Sequence, residues 1–208
     1  MSQVILYADS DFSSPYAMSA YVALKVKGIA FDLQIIKLDE EEQKSNSFLE
    51  KSLTSRVPTL IDGDFSLSES SAISEYLEEI QPTPHLYPTS IHQRNRARQV
   101  QAWLRSDLLA LRIERPTEVI FSKTTDQPLS ASAAESVQKL YKVAEALLRS
   151  ANINIFDSWS IADVDFSLML NRLVANGDDV PEYLVKYVRH HWQHSAIQEW
   201  VSYSKDSS

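Results

Sequence analysis

Residues Ser55–Leu77 read SRVPTLIDGDFSLSESSAISEYL. VPTLI and DFSL are two short β-rich runs joined through Asp62-Gly63, a dipeptide that tolerates the positive φ of a tight β-turn, so they read as a hairpin. From Glu69 the apolar residues Ala72, Ile73, Tyr76, Leu77 and Ile80 recur at helical spacing and predict a one-sided helix ending near Ile80. Upstream, QVILY is a strand. The residues from Pro15 follow helical spacing through Met18, Tyr21, Val22 and Val26 until Gly28, which reads as a C-terminal cap. FDLQIIKL reads as a buried strand, and the acidic stretch from Asp39 to Lys51 as an irregular helix. The order is βαβαββα, a mixed sheet covered by helices.

The QPTPHLYP segment, with Pro82, Pro84 and Pro88, then forms a stiff linker. Residues from 90 onward carry helical periodicity and no convincing strand. The expected organisation is therefore an α/β domain at 1–81, a linker at 82–89 and an all-α helical bundle at 90–208. The acidic excess behind the net charge of -8 falls in the first 80 residues, which supports this division and argues against nucleic-acid binding through the first domain. Within the second domain, WSIADVDFSLML carries a capping box. Ser160 and Asp163 sit at N-cap and N3, and Trp159 can staple onto Val164.

With 208 residues, 44% hydrophobic and 23% charged, the chain can bury a proper core. No run approaches the ~18 apolar residues of a membrane span, and MSQVILYADS lacks the parts of a secretory signal, so no membrane is expected and the cytoplasm is the expected location. Only three glycines occur, Gly28, Gly63 and Gly177, too far apart to write a dinucleotide or phosphate-binding loop. There is no cysteine, which removes thiolate metal sites and every protein-thiol nucleophile. His190 and His194 lie at i,i+4 in RHHWQH, but without an accompanying Glu they read as a solvated helix end, and no metal is expected.

Three motifs together resemble cytosolic glutathione transferases of the serine-type, theta- and zeta-like branch found in bacteria. They are the quoted stretch from Ser55, the SSPYAMSAYVAL segment from Ser13, and the SIAD box at Ser160–Asp163. The resemblance covers essentially the whole chain and implies a thioredoxin-like first domain and an all-helical second one. It implies a cis peptide bond before Pro58, with the N–H and C=O of Val57 turned outward to pair with glutathione as with an added strand. It places Glu69 and Ser70 on the γ-glutamyl end, at a helix N-terminus that favours an anion. It places Gln43, with Phe48 in register, among the ligand contacts, and offers Lys44 and Lys51 as alternatives for the glycyl carboxylate. Read without the resemblance, Pro58 starts an edge strand, Glu69 is a first-turn acid and Ser70 or Ser68 is a cap.

The chemistry implied is stabilisation of a bound thiolate. Moving a thiol from a pKa of about 8.5 down by two units takes about 2.7 kcal/mol of preference for the anion. A hydroxyl donor and a helix N-terminus can supply it. By register the donor is Ser14, just before Pro15 at the first helical turn. Ser13, one residue off, and Tyr7, at the end of the first strand, are the alternatives. Without cysteine, activities through a protein mixed disulfide are disfavoured. Conjugation of glutathione to electrophiles, glutathione-dependent peroxide reduction and isomerisation stay open. Phe12 and the residues from Trp103 to Ile113 are candidates for the electrophile pocket.

Glutathione is thus the expected cosubstrate, with no permanently bound cofactor, a small electrophile or peroxide as its partner, and a homodimer as the assembly. Arg94, Arg96, Arg98 or Arg105 would meet Glu75, Glu78 or Glu79 of the second copy. Two other uses of the scaffold remain: a module that holds glutathione or a protein without turnover, and a glutathione-dependent isomerase or dehalogenase.

Overall fold

The Asp-Gly turn does form a hairpin. In the computed structural model, which describes residues 3–148 and 153–206, β3 (Thr59–Asp62) and β4 (Phe65–Ser68) pair antiparallel around Gly63, whose φ is 61°. β1 (Val4–Asp9) pairs antiparallel with β3 and parallel with β2 (Asp32–Ile36), giving the sheet order β2-β1-β3-β4. α1 (Pro15–Lys27) makes the crossover from β1 to β2 and ends at Gly28 in the left-handed conformation, φ 65°. That position suits the residue without a Cβ.

Side chains alternate across the sheet. Ile5 and Tyr7 lie on one face with Ile36, Phe48, Val57 and Ile61. Leu6 and Ala8 point to the other and are fully buried, as is most of α1. β2 departs from the buried strand expected of FDLQIIKL: it is an edge strand in which only Ile36 is buried. The 39–51 segment becomes a 3-10 turn at Glu42–Lys44 and the short α2 (Asn46–Leu49), which buries Phe48 against Tyr7. α3 (Ser70–Ile80) buries Ser70, Ile73, Ser74 and Leu77, while Ile80 is exposed. The buried stripe is thus turned from the one that the apolar spacing alone outlines.

Two compact units result. One contains the described residues up to Leu86 together with those from Ser195 onward, and the other is Tyr87–His194. The first unit thus differs from the 1–81 stretch expected from sequence, because α10 (Ser195–Asp206) packs on α1. Trp200 is fully buried there, and Lys25 pairs with Glu199 at 2.9 Å. Lys27, its side chain wholly buried, binds the Glu78 carboxylate and the carbonyls of Gln81 and Pro84, fastening the start of the linker to α1.

The second unit is all helix among its described residues: α4 (Ile91–Ser106), α5 (Leu109–Glu114), α6 (Glu118–Phe121), α7 (Ala131–Leu147), α8 (Ile161–Asn176) and α9 (Glu182–Trp192). α8 is buried nearly all round, and α4, α6 and α9 pack against it. A helix so enclosed needs its polar end satisfied. The Ser160–Asp163 capping box does this: the Asp163 carboxylate accepts from the Ser160 N–H at 2.9 Å and the Ser160 hydroxyl at 3.0 Å. It accepts further from Ile155 N–H and Tyr187 O–H, which ties α9 and the preceding loop to the same carboxylate. Trp159 stacks on His194. No helix among the described residues is long and apolar enough to cross a membrane.

Candidate functional site

Strand register gathers the expected site residues at one end of the sheet. Tyr7 lies opposite Thr59, Thr59 opposite Ser68, and Asp9 beside Ile36. The turn leading to Ser14 therefore leaves β1 where Val57 and Pro58 enter β3, where Glu69 and Ser70 leave β4, and where β2 runs on towards Gln43. The N-termini of α1 and α3 open at this same end, and both dipoles favour negative charge there.

Ser14 is the N-cap of α1, and its Oγ accepts the Ala17 N–H at 3.2 Å. That bond occupies an acceptor lone pair and leaves the hydroxyl proton, which has no acceptor among the described residues. Ser13 is differently placed. Its N–H and its hydroxyl both bind the Asp9 carboxylate, at 2.7 and 3.1 Å. Tyr7 lies in the apolar cluster on the α2 face, edge-on to Phe48, with its hydroxyl 3.2 Å from the Lys51 ammonium. Phe12, a candidate for the electrophile pocket, is buried against Trp200 and Tyr203.

The Val57–Pro58 bond is cis, and neither the N–H nor the C=O of Val57 has a partner among the described residues. The loop before it is fixed from within: Thr59 Oγ1 donates to the Arg56 carbonyl at 2.8 Å and sits 2.7 Å from Ser52 Oγ. Glu69 caps α3 with φ 73° and ψ 113°, a conformation rare for any residue but glycine, and makes no side-chain cap. Strain of this sort costs roughly 1–3 kcal/mol and clusters at ligand-binding positions. Ser70 is buried at the first turn of α3. Gln43 lies in the 3-10 turn, its amide 3.5 Å from the Leu38 carbonyl and its Oε1 buried without a partner. Phe48, read as in register with the ligand contacts, is a core residue.

Residues 10–85 match the family profile of the glutathione S-transferase N-terminal domain, and residues 90–206 that of its C-terminal domain. This chain belongs to the glutathione S-transferase family. Human glutathione S-transferase theta-2 is 37% identical over 94 residues, which cover 45% of this chain and 38% of that protein. The chain thus spans 38 to 41% of the length of the human theta relatives it matches. Arabidopsis thaliana glutathione S-transferase T1 is 25% identical over 217 residues, covering 100% of this chain and 85% of that protein. Among solved structures, a glutathione transferase homolog from Burkholderia with bound glutathione is 38% identical, with a TM-score of 0.80 and 99% of each chain covered.

In this family member the sequence pattern does not point to Asp9, to Lys51's contact with Tyr7, or to Trp200. Asp9 is 3% exposed, and burial pushes its carboxyl above the ordinary range against the hydrogen bonds from Ser13 and Ser14. The available signal was a single acid closing an apolar strand. Trp200 gave none, because its indole N–H donates to the Phe12 carbonyl, 188 residues away.

Proposed function

We propose that this glutathione S-transferase binds glutathione at the sheet end where α1 and α3 begin, and stabilises its thiolate through the Ser14 hydroxyl. The observation that carries the reading is the division of labour among the three candidate donors. Ser13 gives its hydroxyl proton to Asp9, and Tyr7 lies edge-on to Phe48 in the apolar cluster on the α2 face, while Ser14 keeps its hydroxyl proton at the N-terminus of α1. The unpaired N–H and C=O of Val57 suit the backbone of an extended peptide. The buried Ser70 and the N-terminus of α3 suit the γ-glutamyl carboxylate, with the Glu69 carboxylate for its ammonium. Gln43 is a further ligand contact. The Burkholderia structure with bound glutathione supports this choice of peptide.

Hydrogen bonding from Ser14 favours the anionic sulfur, so no general base is needed beyond water to take the proton. The thiolate sulfur then forms a bond to an electrophilic carbon as the leaving group departs with its electron pair. With a hydroperoxide it attacks the outer oxygen instead. The O–O bond breaks, giving an alcohol and a sulfenic acid on glutathione, which a second glutathione converts to disulfide and water. The deciding experiment is ultraviolet titration of the bound thiol in Ser14→Ala and Tyr7→Phe, alongside turnover of halide, epoxide and hydroperoxide substrates. Ser14→Ala is expected to raise the thiol pKa and lower kcat about 10- to 100-fold, the worth of a hydrogen bond to a charged group, with glutathione affinity nearly unchanged. If Tyr7→Phe does this and Ser14→Ala does not, the assignment is wrong.

A further inference from the structure

Asp9 sits in an unusual position for a carboxylate. It closes β1, is almost wholly buried, and has no cationic side chain as partner among the described residues. A buried carboxylate without a counter-ion persists only where fixed donors replace water. Here the donors are the N–H and hydroxyl of Ser13, at 2.7 and 3.1 Å, and the N–H of Ser14 at 3.1 Å. An acid at a helix start ordinarily caps free amides inside the first turn. That task belongs to Ser14, through Ala17, so Asp9 instead grips the backbone of the capping residue itself.

The same turn is held from its other side. Phe12 has φ 50°, costly for an aromatic residue. Its carbonyl accepts the Trp200 indole N–H at 2.8 Å, and its ring meets those of Trp200 and Tyr203 at centroid separations of 5.1 and 5.2 Å. The turn is therefore fastened at Ser13 and Ser14 by a carboxylate and at Phe12 by a buried indole. The amides of Ser13 and Ser14 face Asp9, Pro15 has no N–H, and the Ala17 amide is directed at Ser14 Oγ. What the Ser14 side chain keeps to aim outward is its hydroxyl proton.

We propose that Asp9 is a positioning residue for the thiolate chemistry: it fixes the backbone of Ser14 so that the hydroxyl is aimed at the sulfur, with Trp200 bracing the opposite side of the turn. This rests on the Ser14 reading given above. Asp9 acts through Ser14 and touches no reacting atom.

The test uses the full chain with glutathione and an aryl halide, comparing Asp9→Ala, Asp9→Asn, Trp200→Phe, Ser14→Ala and the Asp9→Ala/Ser14→Ala pair. Asp9→Ala is expected to lower kcat about tenfold, to keep KM for glutathione within about twofold, and to reduce the thiolate absorbance of the bound peptide. Asp9→Asn, which keeps an oxygen for the two amides, is expected to restore most of both. In the double variant the loss is expected to stay within about twofold of Ser14→Ala alone, because residues acting through one group are not additive. An unchanged thiolate signal in Asp9→Ala, an Asn variant as poor as Ala, or additive losses in the double variant would each overturn the proposal. If Ser14→Ala alone leaves turnover intact, the Ser14 assignment fails first, and the positioning role with it. Should Asp9→Ala not fold, Trp200→Phe decides. It keeps an aromatic ring, though a smaller one, and loses the N–H donor, so a fall in kcat at constant KM supports the proposal and unchanged kinetics overturn it.

Discussion

Glu69 shows at the level of one residue how a binding position is separable from a stable one. Its φ of 73° is strained for any side chain, so Glu69→Gly relieves strain and is expected to raise stability by up to about 1 kcal/mol. On the proposed function the same change removes the carboxylate that faces the ammonium of glutathione, and affinity is expected to fall. Thermal denaturation and isothermal titration on the one variant check both directions; a variant that is destabilised, or that binds as before, contradicts this account. The places of Ser14, Glu69 and Ser70 at helix starts could be read because caps are local patterns, and the cis bond after Val57 was implied by the resemblance, while their parts in binding glutathione belong to the proposal. Asp9 could not, since its task depends on a turn that brings the amides four and five residues later back onto it.

Among the elements, α8 depends most on a single side chain. The Asp163 carboxylate receives Ser160, Ile155 and Tyr187, with His191 Nε2 3.7 Å from it. Asp163→Ala strands these donors inside the unit and is expected to cost at least ~3 kcal/mol, the usual loss on removing one partner of a buried charged group, measurable by urea denaturation. His191 donates Nε2–H to the Ile153 carbonyl and is edge-on to Tyr187. Burial holds its pKa below the ordinary histidine value. The unfolded chain then takes up a proton near pH 6.5 where the native state does not, so stability is present above about pH 6.5 and lost as the pH falls below it. His194, also lowered by burial, adds in the same direction. Asp163 has the opposite sign, because burial raises it and a raised carboxyl gains stability as the pH falls. The melting temperature is expected to fall between about pH 7.5 and pH 6, and less steeply in His191→Gln. The capping box was plain in sequence, whereas the histidines were read as a solvated helix end. Alternation of buried and exposed positions on α9 puts His191, between the two singled out, into the core. β2 misled for a related reason: an apolar run reads as buried, and its place at the sheet edge is set by pairing alone.

At the scale of the molecule the two-part organisation was legible, since the prolines and the shift in charge mark the same boundary. The return of α10 to the first unit was not. Its apolar positions specify a buried face without naming what covers it. For the homodimer proposed from the family resemblance, Glu78 is no longer a contact, because it is engaged by Lys27, His85 and the Leu86 amide of its own chain. Arg105 likewise pairs with Asp165 at 3.1 Å. Arg96, Arg98 and Glu79 are exposed, and an interface using them is expected to weaken with salt. Light scattering at about micromolar concentration in low salt is expected to give twice the chain mass, with dissociation favoured as salt rises; a monomer throughout would remove the dimer.

Because α10 supplies the indole that braces the turn before Ser14, the first unit is discontinuous along the chain. A ribosome makes its sheet early, at about 5–20 residues per second, yet the unit lacks a wall until the last helix has emerged, after the whole of Tyr87–His194 has been synthesised. The nascent chain therefore has to carry an unfinished half while the other half folds, and a protease acting on stalled chains should cut near Phe12 until α10 is released.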